Sequence, residues 1–94
     1  MTDQPYRLKF TPAALRELEK LDAFIRRRVF FDIGKLAEDP RPPGAQMLQS
    51  KEKLYRVHIG PGKNFRAVYQ IQDEVLLVLV VRVGDRKEVY RRLG

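Results

Sequence analysis

The first regular pattern in the chain is a short alternation of apolar and basic residues. Tyr6, Leu8 and Phe10 alternate with Arg7 and Lys9, which is the period of a strand with one buried face. Because successive side chains of a strand point to opposite faces, the two basic residues should lie on the face turned away from the core. This stretch therefore predicts a half-buried strand with a basic outer face.

Two amphipathic helices are predicted after this strand. Thr11 followed by Pro12 is typical of a helix N-terminus, and Asp22 is a second candidate N-cap. The first helix should bury three leucines on one face: Leu15, Leu18 and Leu21. The second should bury four residues at spacings of four, four and three: Ile25, Val29, Ile33 and Leu36. The proline-rich stretch 38–46 should end the second helix.

Strand-like alternation returns after this connection. Two strands are predicted on either side of a turn at 60–64, with these residues toward the core: Tyr55, Val57, Ile59, Phe65, Ala67, Tyr69 and Ile71. The stretch at 75–83, "VLLVLVVRV", is almost continuously apolar and predicts a central strand. Its expected core positions are Leu77, Leu79, Val81 and Val83. A last short strand is expected at 86–90, after Gly84 and Asp85.

These elements predict an α+β fold of order β-α-α-β-β-β-(β). A helical hairpin should pack on one face of a small antiparallel sheet, because either layer alone would leave its apolar side in water. The 94 residues suit one small domain spanning 1–94. No repeat or inter-domain linker is visible.

Composition narrows the setting. The chain has no cysteine, no apolar run near its start and no run long enough to span a bilayer, so we expect a cytoplasmic protein without a membrane role. The 19 Lys and Arg residues against 12 Asp and Glu give a net charge of +7. On so small a domain this charge predicts an anionic partner: nucleic acid, an acidic protein or a membrane surface. The membrane surface is disfavoured, because the apolar stripes of the helices are needed for the core.

Strand parity collects basic residues on one face of the predicted sheet. Arg56, His58 and Arg66 alternate with core positions, as Arg7 and Lys9 do. Arg82 should also turn outward, and a strand at 86–90 would place Arg86, Glu88 and Tyr90 on one side. For Arg7, Lys9 and Arg82, an ordinary solvated face is the simpler interpretation. The shared parity is what favours a functional surface.

Such a face suits RNA chemistry. Arginines bind phosphate through two parallel hydrogen bonds and keep their charge, and an aromatic ring can stack on an unpaired base. RNA cleavage can use the 2′-OH as an internal nucleophile, and no metal-ligand set or cofactor motif stands out, so we expect neither metal nor cofactor. His58 is the candidate general base, since neighbouring arginines should keep its imidazole neutral.

The stretches "LYRVHIG", "FRAVYQIQDE" and "VLVVRVGDRKEVY" resemble the RelE family of the RelE/ParE toxin superfamily. The resemblance extends from Tyr6 to Tyr90. It implies a toxin of a type II toxin–antitoxin pair that enters the ribosome and cleaves messenger RNA without a metal. It also implies a cognate antitoxin, expected to be acidic, as a partner. Members of the family often carry lysine where this chain has His58, so the choice of base stays open.

The resemblance also suggests roles for individual residues. Arg66 would stabilise the transition-state phosphate, Arg86 would assist the leaving group or hold phosphate, and Tyr90 would stack on or orient a base. The expected catalytic set is Arg56, His58, Arg66, Arg86 and Tyr90. Further contacts to RNA or the ribosome are expected from Arg7, Lys9, Lys63, Arg82 and Lys87.

Two other functions remain open. A ParE-like toxin would inhibit DNA gyrase and cleave nothing, and it would need no constellation of basic and aromatic residues. A non-enzymatic basic module would bind nucleic acid, but no helix-turn-helix pattern supports it. We therefore favour the endoribonuclease.

Overall fold

Two α-helices and five strands make up the part of the chain that the computed structural model describes, residues 5–49 and 51–85. In chain order they are β1 (Arg7–Phe10), α1 (Pro12–Glu19), α2 (Ala23–Gly34), β2 (Gln46–Met47), β3 (Leu54–Ile59), β4 (Phe65–Gln72) and β5 (Leu77–Asp85). Short 3₁₀ turns follow α2, β3 and β4, at Lys35–Ala37, Pro61–Lys63 and Asp73–Val75. Both helices pack on one face of the sheet, as the α+β prediction required.

Both predicted helix N-caps are confirmed. The Thr11 hydroxyl accepts a hydrogen bond from the Ala14 N–H at 3.1 Å, with Pro12 in the first helical turn. The Asp22 carboxylate accepts one from the Phe24 N–H at 3.0 Å. Each cap satisfies a backbone donor that the first turn of a helix leaves unpaired.

The buried face of α2 was predicted correctly, and that of α1 was predicted in part, since Leu18 is buried and Leu21 packs against the core. Val29 and Ile33 of α2 are buried against the sheet, and so is Leu36 in the 3₁₀ turn that follows α2. In α1, Leu15 is 48% exposed and Ala14 takes its place in the core. Steps of three residues drift by about 60° around a 3.6-residue helix, so three leucines in such steps cannot all face the sheet.

The sheet is mixed, which corrects the antiparallel prediction. The strand order is β1-β5-β4-β3-β2, and only the pairs among β2, β3, β4 and β5 are antiparallel. β1 runs parallel to β5. Parallel neighbours need a long crossover connection, and here the chain forms both helices and the other strands between β1 and β5. β2 was not predicted, since two residues carry no readable alternation.

β5 lies inside the sheet, between β1 and β4, as its apolar sequence predicted, but its core positions were predicted only in part. Val83 faces the helices, whereas Leu77, Leu79 and Val81 are not part of the buried cluster beneath them. The cluster instead includes two neighbouring residues: Val78 and Val80. The parity of the strand therefore changes between Val80 and Val83.

A β-bulge causes this change. The pairing between β4 and β5 runs from Tyr69–Val80 directly to Val68–Arg82, so Val81 has no partner on β4. One extra residue reverses the alternation of all residues that follow it. Alternation read along an uninterrupted strand cannot reveal such an insertion.

The predicted strand at 86–90 lies outside the described residues. β5 itself extends through Gly84 to Asp85. Within the described part of the chain, neither helix is long and apolar enough to cross a membrane.

Candidate functional site

The sheet face opposite the helices carries the basic residues that strand parity predicted. Arg56 and His58 on β3 alternate with buried core residues, as Arg66 does on β4. Arg7 and Lys9 lie on the same face, because they pair with the outward positions of β5. We call this surface the open face.

The described strands place no Asp or Glu on the open face. Its other positions, read from the strand register, are Gln46, Leu54, Val68, Gln70, Gln72, Leu77, Leu79, Arg82 and Gly84. Because the charged residues at these positions of the described strands are all basic, they create a positive potential that attracts anions. In residues 5–49 and 51–85, no group of three or more His, Cys, Asp or Glu residues is arranged to hold a metal ion.

Arg66 lies in the middle of a row formed across three strands. It pairs with His58 on β3 and with Gly84 on β5, so their Cα atoms are about 5 Å apart in each direction. Its side chain is only 3% exposed. Because a guanidinium keeps its charge at every working pH, this partly desolvated cation acts strongly on any anion that reaches the row.

Arg56 occupies the adjacent row and is held by the edge strand. It pairs with Gln46 on β2 and with Val68 on β4. The Gln46 side-chain oxygen accepts hydrogen bonds from the Arg56 guanidinium, at 3.2 Å from Nε and also from Nη2. The short β2 strand therefore orients Arg56 on the open face.

Arg82 forms an ion pair with Glu17 of α1. The distance from Nη2 to Glu17 Oε2 is 2.8 Å, and that from Nε to Oε1 is 3.2 Å. The two side chains are 19% and 14% exposed. Hydrogen bonding with this carboxylate holds the pKa of the Arg82 guanidinium above its ordinary value. Sequence reasoning missed Glu17, because nothing in the helix pattern shows which strand its side chain reaches.

The other predicted contact residues lie at the margins of the open face. Lys63 is exposed in the turn that joins β3 to β4, beside the row of His58 and Arg66. Lys9 shares a row with Gln70, which lies four residues along β4 from Arg66 and hence roughly 13 Å from it. Lys9 is two strands further across the sheet. Arg7 lies one row further. The predicted site residues Arg86, Lys87 and Tyr90 are outside the described residues.

A second polar cluster lies at the other end of the sheet. Arg41 donates two hydrogen bonds to the Asp73 carboxylate, at 2.9 and 3.3 Å, and a third to the Tyr55 hydroxyl at 3.2 Å. The Tyr6 hydroxyl also donates to Asp73. The hydrogen bonds from Arg41, and then that from Tyr6, lower the pKa of Asp73 to about 2. Through these bonds Arg41 joins the proline-rich connection to the sheet.

A family model matches the chain over residues 8–90, and its description is "ParE toxin of type II toxin-antitoxin system, parDE". The match covers nearly the whole of the described fold and site. It defines the class of protein as a small toxin of a type II system.

Individual relatives carry RelE names. The chain is 36% identical over 87 residues to a putative RelE-like toxin protein of Escherichia coli, and 33% identical over 87 residues to the mRNA interferase toxin RelE of strain K12; each alignment covers 90% of both chains. The crystal structure of the intact E. coli RelBE toxin–antitoxin complex contains a chain with a TM-score of 0.72 at 30% identity, covering 85% of this chain and 95% of that one. The chain therefore belongs to the RelE/ParE family of type II toxins, as its sequence resemblance predicted.

Proposed function

We propose that this toxin is a ribosome-dependent endoribonuclease that cleaves messenger RNA and so inhibits translation. The observation that carries the proposal is the position of Arg66, a buried arginine that pairs with His58 on the basic sheet face opposite the helices. Support also comes from the relatives at 33% identity that are named mRNA interferases. The open face is where a polyanionic chain would be attracted.

The proposed reaction is a transesterification within the RNA. His58 accepts the proton of the 2′-OH, and the 2′-oxygen attacks the adjacent phosphorus. Arg66 stabilises the additional negative charge of the pentavalent phosphate. The bond to the 5′-oxygen then breaks, this oxygen takes up a proton, and a 2′,3′-cyclic phosphate remains on the upstream fragment. Because the nucleophile belongs to the substrate, the step requires no metal-bound water.

The remaining predicted residues would act around this centre. Arg56 would hold a phosphate beside the reacting one, with Gln46 limiting its freedom. Arg86 would assist the departing oxygen and Tyr90 would stack on a base, as the family resemblance implies. Arg7, Lys9, Lys63 and Lys87 would contribute contacts to RNA or the ribosome, which weaken as salt rises.

We further propose a cognate antitoxin as the physiological partner. The related E. coli RelE chain is seen in a toxin–antitoxin complex at 30% identity. With a net charge of +7, this chain should prefer an acidic antitoxin. Antitoxin binding would keep the toxin inactive until it is released.

The test is to add the purified chain to a translation extract and to map the 5′ ends of a reporter messenger. We expect new ends within the translated frame, and none in a reporter whose start codon has been removed. Arg66→Ala should abolish these ends. Arg27→Ala, which removes an exposed arginine from the helical side, is the matched control and should cleave like the wild type.

The ParE-like alternative makes a different prediction, and the description of the matching family model favours testing it. A gyrase inhibitor would leave the reporter messenger intact and would block DNA supercoiling by purified gyrase. A non-enzymatic nucleic-acid-binding module would also leave the messenger intact, but it would not block supercoiling and would only retard labelled nucleic acid. Intact messenger in the extract would therefore refute the nuclease.

A further inference from the structure

β5 extends beyond the end of its parallel neighbour. Phe10, the last residue of β1, pairs with Val80, and β5 continues through residues 81–85. After Phe10 the chain turns into α1, so no strand of the described residues pairs with 81–85 on that side. The backbone groups that point toward the missing strand need other partners, because unpaired polar groups next to a core are costly.

Side chains of α1 and its N-cap supply these partners. The Thr11 hydroxyl donates a hydrogen bond to the Val81 carbonyl oxygen at 2.8 Å. Glu17 Oε1 accepts the Val83 N–H at 2.9 Å, while the same carboxylate binds the Arg82 guanidinium. Glu17 therefore takes the place of a neighbouring strand beyond the end of β1. The contact lies directly after the β-bulge that changes the parity of β5.

This contact lies beside the candidate site. Val83 precedes Gly84, which pairs directly with Arg66, and Arg86 follows Val83 by three positions in the chain. β-bulges are frequent next to active sites, where they redirect side chains. A hydrogen bond from a backbone N–H to an ionised carboxylate is stronger than a neutral one, and this carboxylate is only 14% exposed.

A carboxylate at the edge of a basic face is also unfavourable for binding an anion. Here Arg82 balances its charge, so the pair contributes little net potential to the open face. The two residues thus do not form a pocket for RNA. Among the described contacts, Arg82 and Glu17 bond to each other, and Glu17 also accepts the Val83 N–H of the β5 backbone.

We propose that Glu17 is a positioning residue of the proposed nuclease, and that Arg82 is its partner rather than an RNA contact. Glu17 fixes the backbone of residues 83–85 beside Arg66. The inference rests on the proposed nuclease function. Removing Glu17 should slow the chemical step and leave ribosome binding intact, since misplacing a reacting group by about 1 Å costs up to roughly a hundredfold in rate.

The first experiment separates turnover from binding. Single-turnover cleavage is measured with the full chain at saturating programmed ribosomes, and affinity is measured separately for the same ribosomes. We expect Glu17→Ala to lower the cleavage rate by about tenfold or more with an equal or tighter dissociation constant, because Arg82 regains its free positive charge. Glu19→Gln, an exposed carboxylate on the same helix, is the matched control and should change neither quantity.

Loss of stability needs its own control. Tyr69→Phe removes a buried hydrogen bond elsewhere in the core, and should lower the melting temperature without slowing cleavage below it. A conservative Glu17→Gln retains an oxygen that accepts the Val83 N–H, and should recover part of the rate. Amide hydrogen exchange supplies a readout besides activity: in Glu17→Ala, exchange should accelerate at Val83 and Gly84 but not in the β3–β4 pair.

Three results would overturn the inference. Glu17→Ala could cleave as fast as the wild type, or could lose rate only as far as Tyr69→Phe does, or could lose ribosome affinity in place of turnover. Failure of the proposed function would look different, because then the wild-type chain itself would cleave no messenger. In that case the inference falls with the nuclease, whatever the exchange data show.

Discussion

Removing the hydroxyl of Tyr69 is predicted to destabilise the fold measurably. The Tyr69 side chain is fully buried, and its hydroxyl donates a 2.7 Å hydrogen bond to the Pro40 carbonyl oxygen, which also belongs to a buried residue. Tyr69→Phe leaves this carbonyl without its donor. A buried acceptor deprived of its partner costs about 1–2 kcal/mol, which corresponds to a melting temperature lower by roughly 4–15 °C for a chain of this size.

The assay is urea unfolding followed by circular dichroism, with the free energy of unfolding extrapolated to water. The control is Tyr55→Phe, because the Tyr55 hydroxyl accepts its hydrogen bond from Arg41 in an exposed setting, where solvent screening should keep the cost of its loss below that of the buried bond. Burial raises the pKa of Tyr69, so its hydroxyl stays a neutral donor and the loss should be equal at pH 6 and pH 9. A loss below about 0.3 kcal/mol, or a larger loss in Tyr55→Phe, would refute the reasoning.

Three further predictions concern pH and backbone strain. His58→Gln should remove the acidic limb of the pH–rate profile, because protonation of the imidazole disables a general base; an unchanged limb excludes His58. Asp73→Asn should lower the melting temperature at pH 6, since the bonds from Arg41 depress the pKa of Asp73. The difference in melting temperature between wild type and variant should shrink as pH falls from 3.8 and vanish near pH 2. A difference that stays constant with pH would contradict this. Gly60→Ala should destabilise the fold in thermal melts, because Gly60 has φ +78° and a Cβ there would lie 2.9 Å from a Phe65 ring carbon; an unchanged melting temperature would contradict it.

Local signals in the sequence predicted the elements well. Thr11 and Asp22 cap helices because each hydroxyl or carboxylate bonds to a neighbour in the chain. The spacing of Val29 and Ile33 correctly predicted the buried side of α2, because the periodicity of a helix is also a local property. Pairing between distant parts of the chain could not be predicted from local patterns. The parallel pairing of β1 with β5 is an example, because it depends on which edge of the sheet is left free for β1.

The sequence predicted which sheet face carries the candidate site, but not the burial or the contacts of its side chains. Alternation placed Arg56, His58 and Arg66 on one side of the sheet, because parity is a local property. It gave no sign that Arg66 would be almost fully buried, since the burial of a side chain depends on parts of the chain that are distant in sequence. It also missed the pairing of Arg82 with Glu17, which joins residues far apart in the chain.

The central claim is that Arg66 stabilises the transition state of messenger cleavage, and its most direct test is Arg66→Lys. This variant keeps a positive charge at the same strand position but loses the planar group that binds two phosphate oxygens at once. Single-turnover cleavage should fall by roughly a hundredfold or more at saturating programmed ribosomes, while the ribosome dissociation constant and the melting temperature change little. Cleavage at the wild-type rate by a folded Arg66→Lys chain would contradict the claim.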